Sequence, residues 1–130
     1  MNKIIRFSIL ILPLMYLLNA CEKETTDSDD DSTATSITGN YIGNTSYYST
    51  ATDISTENSQ VRVYKESSTY NFQFYNGIPK LTSVSLYKDS DGSYHSTDTT
   101  GLINVDIVAD TLTIDVTKSG LTWKASCIKN

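Results

Sequence analysis

From Gly39 to the end of the chain, apolar and polar side chains alternate with a period of two. The clearest run holds Leu112, Ile114 and Val116, with polar residues at the positions between them. Successive side chains of a β-strand point to opposite faces of the sheet, so this alternation predicts strands with one buried face. No stretch from Gly39 onward shows the sustained i, i+3, i+4, i+7 pattern of an amphipathic helix, and Thr, Val, Ile and Tyr are abundant, as strands prefer.

Short polar segments separate the alternating runs and predict tight turns. Asn76-Gly77 is a strong hairpin signal because both residues tolerate positive φ, and Asp89–Gly92 and Lys118–Gly120 mark two further turns. The sequence therefore predicts an all-β domain, built as an antiparallel up-and-down meander of about seven to eight strands. A small barrel is favoured over a two-sheet sandwich, because closure removes exposed strand edges.

The first 20 residues have the features of a cleaved signal peptide. Two basic residues precede the apolar run Phe7–Leu18, which is shorter than the roughly 20 residues that a spanning helix needs. The run ends in Leu18-Asn19-Ala20-Cys21, which matches the bacterial lipobox of an aliphatic, a variable and a small residue followed by Cys. We therefore predict cleavage between Ala20 and Cys21 and lipidation of Cys21. The alternatives are an ordinary signal peptide with an unrelated Cys, and a transmembrane anchor.

Asp, Glu, Ser and Thr dominate residues 21–36, the second predicted segment. Such a composition buries too little apolar surface to offset the entropy of ordering, so we predict a disordered acidic tether. Here the chain resembles Bacteroidetes lipoproteins, in which an acidic stretch after the lipidated Cys directs export to the cell surface. Ser28-Asp29-Asp30-Asp31 is similar to that signal, and the alternative is a plain solvated linker. The resemblance implies an outer-membrane lipoprotein exposed at the cell surface.

The charge of the chain lies mainly in this tether. The formal net charge is −5, yet residues 37–130 carry nine acidic and seven basic residues and are close to neutral. No basic patch is apparent, so the sequence lacks the electrostatic footprint of nucleic-acid binding.

Residues 37–130 form the third predicted segment, the barrel domain. Its opening, Gly39-Asn40-Tyr41-Ile42-Gly43, resembles the Gly-x-aromatic start of the first strand in lipocalin-like (calycin-like) lipoproteins of the same bacteria. The up-and-down meander extends the resemblance to the end of the chain. The chain departs from classical lipocalins by carrying Tyr41 in place of Trp and by being shorter. The resemblance implies a barrel of about eight strands with a ligand-accepting mouth, and it identifies no ligand.

Residues that catalyse reactions or bind metals show no recognisable spacing. Asp89–Ser93 fits a turn better than a calcium-binding loop, because its Gly comes fourth instead of sixth. His95, the only His, is predicted to lie in a solvated loop with no nucleophile beside it. Cys127 is predicted to be a buried, unreactive thiol of the last strand. The sequence thus predicts no catalytic residue, no metal site and no cofactor.

Tyr64, Tyr75 and Tyr87 are the candidate contact residues. They fall out of phase with the neighbouring core positions, and Tyr combines an apolar ring with a polar tip that suits contacts with sugars and proteins. They are predicted to form an exposed aromatic surface, and the alternative is partial burial at barrel ends and strand edges.

These features leave three classes of function open. We favour a non-enzymatic surface lipoprotein, held at the membrane by its lipid, whose barrel binds a small apolar ligand, a glycan or a protein. The second class is a structural or inhibitory interaction protein without a ligand cavity, and the third is an enzyme. A ligand predicts an internal cavity lined by Phe72, Phe74, Leu86 or Ile114, whereas a partner predicts a contiguous exposed aromatic or apolar patch. Catalysis predicts converging polar groups with shifted pKa values.

Overall fold

The structure, a computed structural model, describes residues 36–130. All regular structure in this part of the chain is β-strand, and all neighbouring strands pair antiparallel. The nine strands are β1 (Gly39–Tyr48), β2 (Asp53–Glu66), β3 (Thr69–Phe74), β4 (Leu81–Val84), β5 (Leu86–Lys88), β6 (Tyr94–Ser96), β7 (Ile103–Val108), β8 (Thr111–Lys118) and β9 (Leu121–Lys129).

The strands form one sheet in the order β4-β3-β2-β1-β9-β8-β7-β6-β5. β1 pairs with β2 on one side and with β9 on the other, so the first and last strands of the meander lie side by side. The two edge strands, β4 and β5, are consecutive in the chain and are joined by Ser85 alone. The sheet therefore curves into a nearly closed barrel, which confirms the predicted fold class.

The strand count of nine is slightly above the predicted seven to eight. The difference arises between β3 and β6, where one segment of chain is divided into two strands. Its first half, β4, pairs with β3, and its second half, β5, pairs with β6. The backbone of Ser83 has a positive φ of 61°, and the β3–β4 register shifts between Tyr70 and Phe72, so a single ladder does not run through the segment.

Alternating side chains place one face of each strand inside the barrel. On β8, Leu112, Ile114 and Val116 are each no more than 2% exposed, and the residues between them face solvent. Every residue that the alternation assigns to the interior is buried, except Leu86, which is half-buried against the same core. Burial of a side chain of this size stabilises a fold by about 1.5–3 kcal/mol, so the core is the main source of stability.

Residues with positive φ form the tight turns. Ser119 and Gly120, between β8 and β9, have φ angles of 54° and 79°. The turn from β5 to β6 is closed by the amide of Gly92, which donates to the carbonyl oxygen of Asp89 at 3.0 Å. Both turns lie where the sequence predicts them, because Gly and small polar residues adopt positive φ at low cost.

The β3–β4 connection covers the upper end of the barrel, defined as the end at which β1 finishes. Asn76 and Gly77 turn with φ angles of 61° and 87°, but the connection is longer than a two-residue hairpin. Ile78 follows them and turns inward, where it is buried. The indole nitrogen of Trp123 donates to the carbonyl oxygen of Pro79 at 2.8 Å and fastens the loop across this end.

The segment before β1 covers the lower end, where β1 begins. Ile37 is buried there, and the hydroxyl of Tyr41 donates to its carbonyl oxygen at 2.8 Å. Burial raises the pKa of Tyr41 to about 12, so the hydroxyl stays protonated as a donor. Both ends of the barrel are thus closed by an apolar residue and a hydrogen bond from an aromatic side chain.

The contact between β1 and β9 depends on Gly43. A Cβ atom here would lie 2.1 Å from the carbonyl oxygen of Ser126 and 2.6 Å from Cα of Cys127, both in the backbone of β9. The pairing of β1 with β2 is also irregular between Gly43 and Thr45. Glycine therefore lets β1 approach β9 closely at the point where the sheet bends to close.

Gly43→Ala is expected to lower the free energy of unfolding by about 3 kcal/mol or more, because the clash is with backbone that has no room to move. Gly101→Ala is the matched control. Gly101 has a φ of 82° but no atom within 4 Å of the added Cβ, and this substitution should cost about 1 kcal/mol. Urea denaturation followed by Trp123 fluorescence measures both losses, and equal losses would contradict the close β1–β9 contact.

Candidate functional site

The residues predicted to line a ligand cavity belong to the packed interior. Phe72, Phe74 and Ile114 are each no more than 2% exposed, and Leu86 packs against the same apolar cluster. Four clefts formed by residues 36–130 are lined by none of Phe72, Phe74 and Leu86, whereas Ile114 lines one of them together with Asn44 and Ala125. Phe72, Phe74 and Leu86 thus contribute to the packed core and to none of these four clefts.

The three candidate contact tyrosines lie on separate parts of the surface. Tyr75 and Tyr87 are 41% and 51% exposed, whereas Tyr64 is half-buried. Tyr87, on β5, has the imidazole of His95 as its ring neighbour, at 5.6 Å between ring centres. No aromatic contact joins any two of these tyrosines in the part of the chain that the structure describes. The structure does not bring them together.

Tyr64 instead lies between two basic side chains on the outer wall. The guanidinium carbon of Arg62 is 5.6 Å from the centre of the Tyr64 ring, and Nζ of Lys80 is 5.9 Å from it. Both cations are exposed, and within residues 36–130 neither forms an ion pair. A cation within about 6 Å of an aromatic ring is attracted to the negative face of its π-system. We call Arg62, Tyr64 and Lys80 the basic–aromatic cluster.

Strand pairing brings the cluster together. Arg62 and Tyr64 are two residues apart on β2 and share its outer face. Phe72 of β3 pairs with β2 on one side and with Leu81 of β4 on the other. Lys80 directly precedes Leu81 and therefore lies near Arg62 and Tyr64. The alternation of β2 is enough to predict the first two members, but sequence reasoning missed Lys80 because its position depends on the β3–β4 register.

His95 lies on strand β6, and the prediction of a loop for it is wrong. Its short strand pairs with β5 on one side and with β7 on the other. Nδ1 of His95 lies 2.7 Å from Oδ1 of Asp106, and Nε2 lies 3.7 Å from Oδ2 of Asp89. The hydrogen bond with Asp106, together with attraction to the nearby carboxylates, raises the pKa of His95. Within the described residues the hydrogen-bond partner of the imidazole is the Asp106 carboxylate, and no hydroxyl or thiol is hydrogen-bonded to it.

Cys127 is buried, as the alternation of the last strand predicts. It is 1% exposed, and burial raises the pKa of its thiol to about 11. The thiol is therefore protonated at neutral pH and a poor nucleophile. Cys127 forms no disulfide with another residue in the described range.

The other predicted site residues lie outside the described residues: Ala20, Cys21, Ser28, Asp29, Asp30 and Asp31. Their roles in cleavage, lipidation and export stay predictions. Between residues 36 and 130, no group of three or more His, Cys, Asp or Glu side chains is placed to hold a metal ion. The same residues contain no helix with the length and apolar character that crossing a membrane requires.

Comparison with known proteins finds no match to this chain among protein-family models, curated proteins or solved structures. The resemblance to lipocalin-like surface lipoproteins therefore stays a prediction from the sequence pattern.

Asp106→Asn is expected to lower the pKa of His95 toward its ordinary value of about 6.5, because the main cause of the upward shift is removed. The pKa of His95 is raised in the folded state. The stability that the His95–Asp106 pair contributes is therefore fully present below the unfolded-state pKa of His95, and it is lost as the pH rises through the folded-state pKa. NMR titration of the single imidazole measures the shift. Asp115→Asn, which removes a similarly exposed carboxylate paired with Lys124, should leave the pKa of His95 unchanged. No response to Asp106→Asn would show that the hydrogen bond does not set this pKa.

Proposed function

We propose that this chain is a non-enzymatic lipoprotein of the bacterial outer membrane, anchored through Cys21 and exposed at the cell surface. Its barrel binds a partner on the outer wall. The protein then belongs to the class of interaction proteins without a ligand cavity, which we favour over a carrier of a small apolar ligand. The observation that carries this choice is the occupied interior of the barrel.

Packing inside the barrel supports external binding. Small-molecule sites usually enclose about 300–1,000 Å³, and here Tyr41, Phe72 and Phe74 fill the interior, each no more than 1% exposed. A ligand would have to displace such side chains, and loss of the packing of one Phe costs about 3–5 kcal/mol. Entry would also break the hydrogen bond from Trp123 to Pro79 at the upper end or the one from Tyr41 to Ile37 at the lower end.

The basic–aromatic cluster supports a partner that carries carboxylates. Tyr and Arg are the residue types that most often dominate binding energy at protein interfaces. The ring of Tyr64 provides an apolar contact, while Arg62 and Lys80 are two of the seven basic residues of a domain that is near neutral, and they bring two exposed positive charges to one place. An acidic protein surface or an acidic glycan provides the complementary chemistry.

The first 21 residues support the anchor. Basic residues, an apolar run of limited length, a small residue and Cys21 follow one another in the order of a lipoprotein signal peptide. Acyl chains contribute about 0.8 kcal/mol per buried methylene, so two or more chains hold a protein stably at a membrane. The barrel then needs no apolar anchor of its own.

Binding of the purified protein to immobilised polyglutamate and polygalacturonate, measured by surface plasmon resonance, tests the proposed surface. Tyr64→Ala and Lys80→Glu are each expected to raise the Kd about tenfold, as loss of one central contact typically does. Tyr48→Ala is the matched control, because Tyr48 is 57% exposed and lies outside the cluster, and it should bind as the unmodified protein does. Absence of binding, or equal weakening in all three variants, would remove the cluster as the contact surface.

Intact mass spectrometry of the protein extracted from bacterial membranes tests the lipid anchor. The mature protein should begin at Cys21 and carry a diacylglyceryl group on its thiol. An unmodified Cys21, or a different first residue, would contradict the anchor without bearing on the surface.

A further inference from the structure

An apolar row crosses the outside of the barrel close to its lower end. Val108 of β7 pairs with Thr111 of β8, Thr111 pairs with Ile128 of β9, and Ile128 pairs with Ile42 of β1. Residues paired directly across antiparallel strands point to the same face, with Cβ atoms about 5 Å apart. Ile128 is 61% exposed, Val108 is 49% exposed and Ile42 is half-buried. We call Val108, Thr111, Ile128 and Ile42 the outer apolar row.

The next outward-facing row, nearer the upper end, is entirely polar. It consists of Asp106, Thr113, Ser126 and Asn44, which occupy the corresponding positions of the same four strands. Three aliphatic side chains thus lie together in the row near the lower end. Isolated exposed aliphatic residues need no explanation, but three that share one cross-strand row do.

The chain that precedes the barrel enters at this same end. Ser36 lines a cleft of about 400 Å³ together with Val108 and Ala109, and its carbonyl oxygen accepts a hydrogen bond from Nζ of Lys129, the neighbour of Ile128. Thirty-five residues of the chain precede Ser36, and the predicted lipid-bearing Cys21 lies only 15 residues before it. The outer apolar row therefore lies at the end of the domain where the chain from the predicted anchor enters.

We propose that the outer apolar row is a membrane-docking surface, which inserts at the boundary between headgroups and acyl chains of the bilayer that holds the anchor. This inference builds on the lipid anchor of the proposed function and adds the orientation of the barrel. The lower end carries both signs of charge, with Lys88 and Lys129 near Asp91 and Asp110, so it offers no net attraction to anionic lipid. Burial of aliphatic side chains is the driving force that remains.

Weak affinity is sufficient for this contact because the anchor keeps the barrel close to the membrane. A flexible tether of 15 residues has a root-mean-square length of about 20 Å, which corresponds to an effective concentration in the millimolar range. At that effective concentration a dissociation constant in the millimolar range is enough for the surface to be occupied about half of the time. Docking removes the gap of about 20 Å that the tether would otherwise leave between barrel and bilayer.

Neutron reflectometry on a supported phosphatidylcholine bilayer measures this gap directly. The mature chain, residues 21–130, is coupled through the Cys21 thiol to a maleimide lipid, and the buried Cys127 does not compete. Protein density should begin at the headgroups. The double variant Val108→Ser, Ile128→Ser should lift the barrel by about 20 Å, the length of the relaxed tether. The matched control is Leu102→Ser, Tyr48→Ser, which removes side chains 55% and 57% exposed at the upper end and should leave the barrel docked.

Each other outcome overturns docking. A gap of tether length for the unmodified protein, or no change in the Val108→Ser, Ile128→Ser variant, would show that the row does not contact lipid. A protein layer two barrels thick, which that variant reduces to the thickness of one barrel, would show that the row contacts a second copy of the chain. Lifting of the barrel by about the tether length at high salt would indicate an electrostatic contact, whereas an apolar contact persists. Because the maleimide lipid replaces bacterial lipidation, failure here is distinct from failure of the anchor in the cell.

Discussion

The pairing of β1 with β9 is the constraint on which the rest of the barrel depends. It joins positions far apart in the chain, such as Gly43 and Cys127, and converts an open meander into a nearly closed sheet. Without it, both strands would present unpaired edges, which invite association with other chains. The close approach requires the absence of a side chain at Gly43, where a Cβ atom would meet the backbone of β9. One residue without a side chain thus determines whether the apolar faces of the strands enclose a common core.

Closure also separates an inside from an outside, and the two have different roles. The inside is taken up by aromatic and aliphatic side chains, and Ile78 and Ile37 close its ends. The outside carries two features to which we assign roles: the basic–aromatic cluster around Tyr64 and the outer apolar row around Ile128. In the account proposed here, the core provides stability, the row faces the membrane and the cluster faces the partner.

Periodicity in the sequence predicts the strands, the turns and nearly all of the core, because burial on one face requires alternation. It does not predict which residues close the ends of the barrel, because Ile37 and Ile78 lie in segments without alternation. The sequence predicts a loop for His95 because its strand has three residues, which are too few to show a period. The position of Lys80 depends on the shifted register between β3 and β4. At this shift, the side-chain oxygen of Asn71 accepts a hydrogen bond from the amide of Ser83 at 2.9 Å. Such side-chain to backbone contacts have no periodic signature in the sequence.

The measurement that tests the occupied interior most directly is titration of the mature protein with the apolar fluorophore N-phenyl-1-naphthylamine. The packing of Phe72 and Phe74, each no more than 1% exposed, predicts no saturable rise in fluorescence, because the probe would have to displace core side chains to enter the barrel. A classical lipocalin serves as the positive control. Saturable binding of one probe per barrel, reversed by excess fatty acid, would contradict the occupied interior and restore the ligand carrier as the better account.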